Sequence, residues 1–297
     1  MATLEPAHRS PERERILALG AGLLAVSLWA SAFVGIRSAG HELSPGSIAL
    51  GRLLIGSAAL GAFVLARRER LPGRRDLPAI VFSGILWFGI YNVALNSAER
   101  RVDAGTAAML VNIGPILVAV LAGLALHEGF PRLLLAGCLV AFSGTALIGL
   151  ATSNQGIGAS WGVVLCIVAA FAYSVALVVQ KPVLARVSGL QVMWIACTAG
   201  LLVCLPFAPT LVREGTDASA SAIGWTIYLG LAPTAIGFVA WAYALARTSA
   251  GRLGSTTYLA TPIAILLGWA LLGETPPGLA LLGGALCLGG VVIARRN

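Results

Sequence analysis

Two long uncharged runs, residues 16–36 and 163–179, constrain what this chain of 297 residues can fold into. A helical run of about 20 apolar residues matches the roughly 30 Å hydrocarbon thickness of a lipid bilayer. Charged residues make up only 11% of the chain, whereas a typical soluble domain carries about 25%. So few charges could not cover the surface of a globule in water. We therefore expect an integral membrane protein whose first partner is the lipid bilayer.

Polar, charged or Gly/Pro-rich clusters divide the chain into ten apolar segments with short linkers between them. The strands of a β-barrel alternate apolar and polar residues, and these segments do not. The predicted fold class is therefore all-α integral membrane, with ten transmembrane helices. The predicted helices span residues 16–36, 46–66, 77–97, 104–126, 131–150, 159–180, 189–208, 222–245, 253–272 and 277–294.

Lysine and arginine are distributed unequally over the alternating linkers. With the N-terminus inside, 15 of the 20 lie on the inner side and 5 on the outer side, which predicts that both termini are cytoplasmic. Residues 1–15 then form a cytoplasmic tail. The basic cluster at residues 67–75 is an inner loop in this arrangement. Because transmembrane segments flank it and no aromatic residues are interleaved with it, we expect no nucleic-acid partner.

The start of the chain also resembles a cleaved signal peptide, because a basic stretch and an apolar run precede an A-x-A sequence at residues 30–32. The apolar run continues to Ile36, however. That length favours a retained first helix.

The chain contains an internal duplication. Residues 100–144 align with residues 246–290 at an offset of 146. The matched pairs include Glu128 with Glu274, Pro131 with Pro277, Gly137 with Gly283 and Gly144 with Gly290, while Pro115 and Pro262 differ by one position. We therefore divide the chain into two five-helix repeats, residues 16–150 and 151–297. Because five is odd, the second copy starts from the opposite membrane face, and such inverted repeats are typical of transporters with a midplane site.

Each repeat ends in a proline, an E-x-x-P motif and a Gly-rich last helix. These features, together with residues 27–39 (SLWASAFVGIRSA) and 243–274, resemble the EamA domains of the drug/metabolite transporter superfamily, and within it the aromatic amino-acid exporter type. The resemblance covers nearly the whole chain. It implies ten helices, with the first, third, fourth, sixth, eighth and ninth around a central cavity and the last helix of each repeat outside. It also implies export of amino acids or other small metabolites across a bacterial inner membrane.

The segments contain almost no buried charge, which is the usual pointer to an intramembrane site. Arg52 lies early in the second predicted helix, near its outer end. A side chain that snorkels to the interface is the favoured interpretation there, ahead of contact with a substrate carboxylate. No carboxylate resembles a proton relay, and the lack of Lys and Arg elsewhere argues against a phosphate-bearing substrate.

Neutral polar and aromatic residues in mid-helix are the remaining candidates for substrate binding, because amides and hydroxyls can orient a zwitterion and aromatic rings can hold an apolar side chain. Helix-helix hydrogen bonding by Asn and interfacial placement of Trp and Tyr are the structural alternatives. Tyr243 and Tyr258 fit packing equally well. The candidates are Trp29, Phe33, Tyr91, Asn92, Asn96, Asn112, Tyr173, Trp241, Tyr243, Thr257 and Tyr258.

Pro115 and Pro262 occupy equivalent helices, so they predict symmetric kinks or hinges near the cavity, with a static bend as the alternative. Glu128 and Glu274 each precede a helix that starts near a proline. There a carboxylate can meet the free N–H groups of the first turn, so we predict a structural or gating role at a helix end. The seven-residue spacing of glycines in the last helix of each repeat predicts close packing within a monomer rather than dimerisation.

The predicted function is a secondary or facilitative transporter that exports amino acids by alternating access; drugs or other hydrophobic metabolites are the alternative cargo. The chain has no P-loop motif, and we expect no cofactor and no metal site, because the five cysteines lie within apolar runs and the three histidines outside them. An integral-membrane enzyme would need clustered His, Asp or Glu, so we expect no catalytic residue. A channel would need a continuous polar face on several helices.

Overall fold

The computed structural model describes residues 11–69, 71–98, 110–152, 161–272 and 277–296, and these are almost entirely helical. Glu274 lies outside the described residues, as do the side chains of Phe33 and Asn96. The described helices are α1 Pro11–Ala39, α2 Pro45–Ala66, α3 (Leu77–Gly84, Ile85–Tyr91 and Asn92–Ala98), α4 Gly114–Ala125, α5 Arg132–Thr152, α6 Trp161–Val183, α7 (Gly189–Cys204, Leu205–Phe207 and Ala208–Asp217), α8 (Ala220–Leu229, Gly230–Ile236 and Gly237–Arg247), α9 (Ala250–Ser255, Thr256–Leu259 and Ala260–Leu272) and α10 Gly278–Arg295.

Nine of these helices are long and apolar enough to cross a bilayer within the described ranges. The tenth, α4, has 12 described residues, and the helix predicted at 104–126 begins in a stretch that lies outside them. Large apolar side chains face outward on many helices, for example Leu65, which is 74% exposed, and Phe63, which is 62% exposed. An apolar exterior of this kind suits a lipid environment.

Short capping sequences define several helix starts. Ser44, Ser188 and Ser219 each accept a hydrogen bond from a backbone N–H three residues later, which satisfies a donor that the first turn leaves free. Pro45 follows Ser44 at the first helical position, where its missing N–H costs little. These caps explain why the linkers can be only a few residues long.

Helix α7 departs most from the prediction, which ended it at residue 208. It continues through a 3-10 turn, Leu205–Phe207, into the polar segment Ala208–Asp217. Pro206 and Pro209 fall at the starts of these segments, where proline is compatible with helix. The Glu214 carboxylate accepts the Ser44 backbone N–H at 2.8 Å, which holds this polar extension against the α1–α2 linker.

Equivalent helices of the two repeats pack against each other: α2 with α7, α4 with α9, and α5 with α10. The α5–α10 contact is the closest, because glycines of one helix face the backbone of the other. A Cβ on Gly137 would lie 2.3 Å from the Ala294 nitrogen, and one on Gly283 would lie 2.6 Å from the Gly144 oxygen. These glycines therefore pack against the other helix within the same chain.

Candidate substrate cavity

The two ends of the helix bundle are distinguished by their linkers. One, the termini end, contains the start of α1, the end of α10 and the linker residues 67–69, 71–76, 126–131, 184–188 and 248–249. The other, the far end, contains linkers 40–44 and 218–219. Hydrogen bonds group the linkers in this way: Asp76 contacts Arg186 at the termini end, and Glu42 contacts Ser219 at the far end.

A cavity of about 180 Å³ lies between the repeats, mostly in the halves of the helices that point to the far end. Ile36 and Leu95, which line it, are within one turn of the far ends of α1 and α3. The volume is adequate for a small molecule, since an engineered cavity of about 150 Å³ binds benzene. The lining residues are Trp29, Ala32, Ile36, Arg52, Leu53, Trp87, Phe88, Tyr91, Asn92, Leu95, Val111, Asn112, Tyr173, Thr234, Phe238, Trp241, Thr257, Ala260 and Thr261.

Arg52 supplies the charge of this cavity. It lies seven residues into α2, about 10 Å along the helix from Pro45. Its Nε donates a hydrogen bond to the Thr234 hydroxyl at 3.1 Å, and that hydroxyl donates to the Leu229 carbonyl at 2.8 Å. Among the described residues, no carboxylate pairs with its guanidinium. The expectation that Arg52 snorkels to the interface is therefore wrong: Thr234 of α8 directs the side chain into the cavity.

Two π-helical segments, Ile85–Tyr91 and Gly230–Ile236, border the cavity at corresponding positions of the two repeats. A π turn frees backbone carbonyls and is frequent at functional sites. The Asn92 amide donates to the carbonyls of Trp87 and Phe88, at 3.2 and 2.9 Å. The Trp29 indole donates to the Pro233 carbonyl at 3.2 Å. Lining side chains thus satisfy the carbonyls that the irregular backbone leaves open.

Aromatic rings form the side of the cavity nearest the termini end. Trp29 lies 4.9 Å from Trp241 and 5.0 Å from Phe238 between ring centroids, and Trp87 lies 5.1 Å from Phe238. These are the distances of favourable aromatic pairs. We call Trp29, Trp87, Phe238 and Trp241 the aromatic floor, because these rings form the termini-end side of the cavity.

The fourth helix of each repeat is broken beside the cavity. Residues 112–113 form a turn before α4, and Thr256–Leu259 form a 3-10 turn inside α9. The Asn112 amide donates to the Thr261 hydroxyl at 3.2 Å, which links the two breaks. Pro115 and Pro262 lie in the first turn after each break, so they begin regular helix there; movement at these positions stays a prediction.

Seven of the candidates from the sequence line the cavity together: Trp29, Tyr91, Asn92, Asn112, Tyr173, Trp241 and Thr257. Two do not. Tyr243 lies beyond the aromatic floor, where its ring stacks under the Arg247 guanidinium at 3.8 Å. Tyr258 is fully buried outside the lining, because it follows Thr257 and the 3-10 turn directs neighbouring side chains apart. The remaining candidates, Phe33 and Asn96, have side chains outside the described part.

Sequence reasoning missed Thr234 and Phe238 of the lining, and for Arg52 it ranked contact with a substrate carboxylate second to snorkelling. One signal was present, because Thr234, Phe238 and Trp241 recur at the spacing of one helical face. Arg52 and Leu53 also show that the second helix contributes to the wall, beyond the six helices that the family resemblance implied.

Glu128 binds a helix end, but not the one that follows it in the chain. Its carboxylate accepts the backbone N–H groups of Ala250 at 2.8 Å and Gly251 at 3.2 Å, at the start of α9 in the other repeat. Lys181 of α6 donates to the carbonyls of Leu245 and Thr248 at the end of α8. An anion at a helix N-terminus and a cation at a C-terminus are both favourable. We call Glu128, Lys181 and the α8–α9 turn the termini-end clamp.

The geometry defines a class of protein. An all-helical, multi-pass membrane protein with corresponding helices of two repeats packed together, and a small-molecule cavity between them, is a membrane transporter. The sequence profile of the EamA-like transporter family matches residues 16–150 and again residues 160–296. The chain belongs to the EamA-like transporter family.

Similar proteins are consistent with that assignment. The chain is 40% identical to a probable terminal-alkyne amino-acid exporter of Streptantibioticus cattleyicolor, over 94% of each chain. It is 26% identical to a probable amino-acid metabolite efflux pump of Salmonella typhimurium, over 91% of this chain and 92% of the other. A solved crystal structure with 23% identity matches at a TM-score of 0.78, over 94% of this chain and 96% of that one, which supports the fold alone.

Proposed function

We propose that this protein exports amino acids across a bacterial inner membrane by alternating access, with both termini in the cytoplasm. The observation that carries the proposal is Arg52, a guanidinium without a carboxylate partner among the described residues, at a cavity with aromatic walls. A buried cation is costly unless something pairs with it. A guanidinium matches a carboxylate in geometry and charge. An amino acid brings that carboxylate, and its side chain can rest on the rings.

We assign binding roles to the lining residues by their position. Arg52 would take the carboxylate, and the aromatic floor would contact the side chain of the cargo. Asn92 and Asn112, near the α3 and α4 irregularities, would orient the remaining polar atoms. The transporter would move its cargo without chemical change, and it would act as a monomer, because all of the described lining comes from one chain.

Alternating access would move the repeat 16–150 against the repeat 151–297. The termini-end clamp supports this view, since Glu128 belongs to the first repeat and holds the α9 start in the second. In this proposal the clamp and the aromatic floor, which both lie on the termini-end side of the cavity, hold that end closed. Breaking the clamp would open the termini end to cytoplasmic substrate. Glu128 thus has a gating role in this proposal.

Hydrophobic drugs or metabolites are a second candidate cargo. Seven of the lining residues are aromatic, and such a wall binds apolar molecules of many shapes. A neutral drug would leave Arg52 unpaired, however, so this cargo uses only part of the cavity.

Uptake into proteoliposomes tests the proposal. Purified protein would be screened with radiolabelled amino acids and with a neutral hydrophobic dye, with and without a pH gradient, against protein-free liposomes. We expect saturable uptake of apolar or aromatic amino acids. Uptake of the dye alone would favour the second candidate, and uptake of neither would contradict both. Dependence on the pH gradient separates proton-coupled transport from facilitated transport.

A further inference from the structure

The charged residues that line the cavity indicate which part of an amino acid is recognised. Arg52 is the one cation in the described lining, and that lining contains no Asp or Glu. A carboxylate therefore finds a counter-ion, while an ammonium group finds none. This asymmetry rests on the proposed function and narrows its substrate class.

The hydrogen-bonding groups of the lining show the same asymmetry. The Asn92 amide nitrogen is committed to the carbonyls of Trp87 and Phe88, which leaves its oxygen as an acceptor. The Thr257 hydroxyl donates to the Gly254 carbonyl at 2.7 Å. A neutral amide oxygen can accept a hydrogen bond from a hydroxyl as well as from an ammonium group. The lining can therefore use a donor at the α-position of the substrate without requiring that donor to be charged.

The net charge of the occupied cavity also favours recognition of the carboxylate. When a zwitterion occupies the cavity, the substrate adds no charge and the buried site keeps that of Arg52. When a monoanion occupies it, the two charges cancel. Because uncompensated charge is unfavourable inside a membrane protein, the monoanion is at least as well accommodated.

We propose that the cavity recognises the carboxylate and the apolar side chain but not the ammonium charge, so that it takes apolar 2-hydroxy acids as well as the matching amino acids. Amines and carboxyl-blocked amino acids of the same shape are poor ligands in this scheme. The substrate class is an apolar monocarboxylate with a hydrogen-bond donor at the α-carbon.

Five compounds that share the phenyl ring of phenylalanine, and differ in the carboxyl group or the α-substituent, test this proposal. L-phenylalanine, L-3-phenyllactate, 3-phenylpropionate, L-phenylalaninamide and phenethylamine would be titrated into the purified wild-type protein by calorimetry. We expect phenyllactate to bind within about threefold of phenylalanine or more tightly. We expect phenylpropionate to bind about fivefold more weakly, because it lacks one neutral hydrogen bond. The amide and the amine should bind at least about 30-fold more weakly, because they lose a charge-assisted pair.

Other outcomes distinguish this inference from the proposed function. If phenylalanine binds and phenyllactate binds more than about 30-fold more weakly, the ammonium group is required and the inference is wrong, while amino-acid export stands. Phenethylamine binding equal to that of phenylalanine would also overturn it. If none of the five binds and proteoliposomes take up no amino acid, the proposed function itself fails.

The variant Arg52→Gln provides a second readout. It should remove the preference for phenyllactate over phenylalaninamide, while Arg213→Gln, an exposed arginine of α7, should keep it. Size-exclusion chromatography of both variants would check folding. An unchanged preference in folded Arg52→Gln would contradict the assignment of the carboxylate to Arg52.

Discussion

Charges serve different purposes at the termini end and in the cavity that reaches the far end. At the termini end, Lys181 and Glu128 are both occupied by backbone groups at the two sides of the α8–α9 turn. In the cavity, Arg52 has one neutral contact, with Thr234, and no carboxylate partner in the described part of the chain. Satisfied charges hold a structure in place, whereas an unsatisfied one is available to a ligand. Under the proposed function, the termini end is the region expected to gate and the cavity is the region expected to bind, and variants can test each side.

The largest expected effect is on Arg52. Arg52→Gln should reduce amino-acid transport in proteoliposomes by about 100-fold, because a buried charge-assisted pair with the substrate is lost. Arg52→Lys keeps the charge but not the planar fork, so it should recover only part of the activity. Arg213→Gln, exposed on α7, is the matched control and should transport like the wild type. Wild-type transport by Arg52→Gln would remove the distinction between the two regions.

The second-largest effect is expected at Lys181, because it donates hydrogen bonds to two carbonyls at the end of α8. Lys181 and these carbonyls belong to the second repeat, and they shape the α8–α9 turn that presents the Ala250 and Gly251 N–H groups to Glu128 of the first repeat. Lys181→Met should loosen that turn and so destabilise the closed termini end by about 1–2 kcal/mol, or roughly 10-fold in the balance of states. An Ala260→Cys reporter, which lies in the cavity lining, would be labelled by an impermeant thiol reagent from either face. The described native cysteines are buried, which limits background labelling.

We expect labelling of the Lys181→Met variant to shift toward the termini-end face, and that of Lys181→Arg to shift less. If both variants are labelled as the wild type is, Lys181 does not hold the termini end closed.

The sequence predicts features that depend on local patterns, but not those that depend on contacts between helices. Hydropathy predicts the membrane helices because each one must satisfy its own backbone in lipid, and nine of them are found in the described ranges. Most ends agree to within a few residues, since local caps set them. The π segments at 85–91 and 230–236 depend on contacts between helices, so local patterns do not reveal them. The direction of a long side chain such as Arg52 is decided by α8, which lies 182 positions away at Thr234.

Two adjacent residues of α9 differ in a way that the sequence does not reveal. Thr257 lines the cavity and Tyr258 does not, because a 3-10 turn at this place fixes which of the two faces inward. The repeat correctly indicated that Glu128 acts at a helix end. It could not indicate that the helix belongs to the other repeat, because the packing of α4 against α9 determines that contact.

Glu128→Gln should have a smaller effect than the loss of Lys181. The amide oxygen can still accept one backbone N–H, so the cap at Ala250 and Gly251 is weakened rather than removed, at a cost of about 1 kcal/mol. We expect a roughly fivefold shift of Ala260→Cys labelling toward the termini-end face. Glu128→Ala removes both bonds and should shift it further. A shift toward the far-end face would contradict the assigned direction of gating.

The smallest effect is expected at the far end, where Glu42 contacts Ser219 on the surface. Hydrogen bonds from the Ser219 hydroxyl and backbone N–H lower the pKa of the Glu42 carboxyl below its usual range. A lowered pKa in the folded state means that this interaction contributes stability at neutral pH and loses it as pH falls through the folded value. Because the pair is exposed, Glu42→Gln should change transport by less than about twofold at pH 7.

Thermal unfolding of the wild type and of Glu42→Gln at pH 7 and near pH 3 measures this contribution. We expect the variant to unfold at a slightly lower temperature at pH 7, and the two proteins to converge as the pH falls through the lowered pKa of the Glu42 carboxyl. Ser219→Ala should behave similarly, because it removes the hydroxyl donor and the cap of α8 together. A large loss of transport in Glu42→Gln would show that the far end is held by charge as firmly as the termini end, and the contrast between gating and binding regions would then fail.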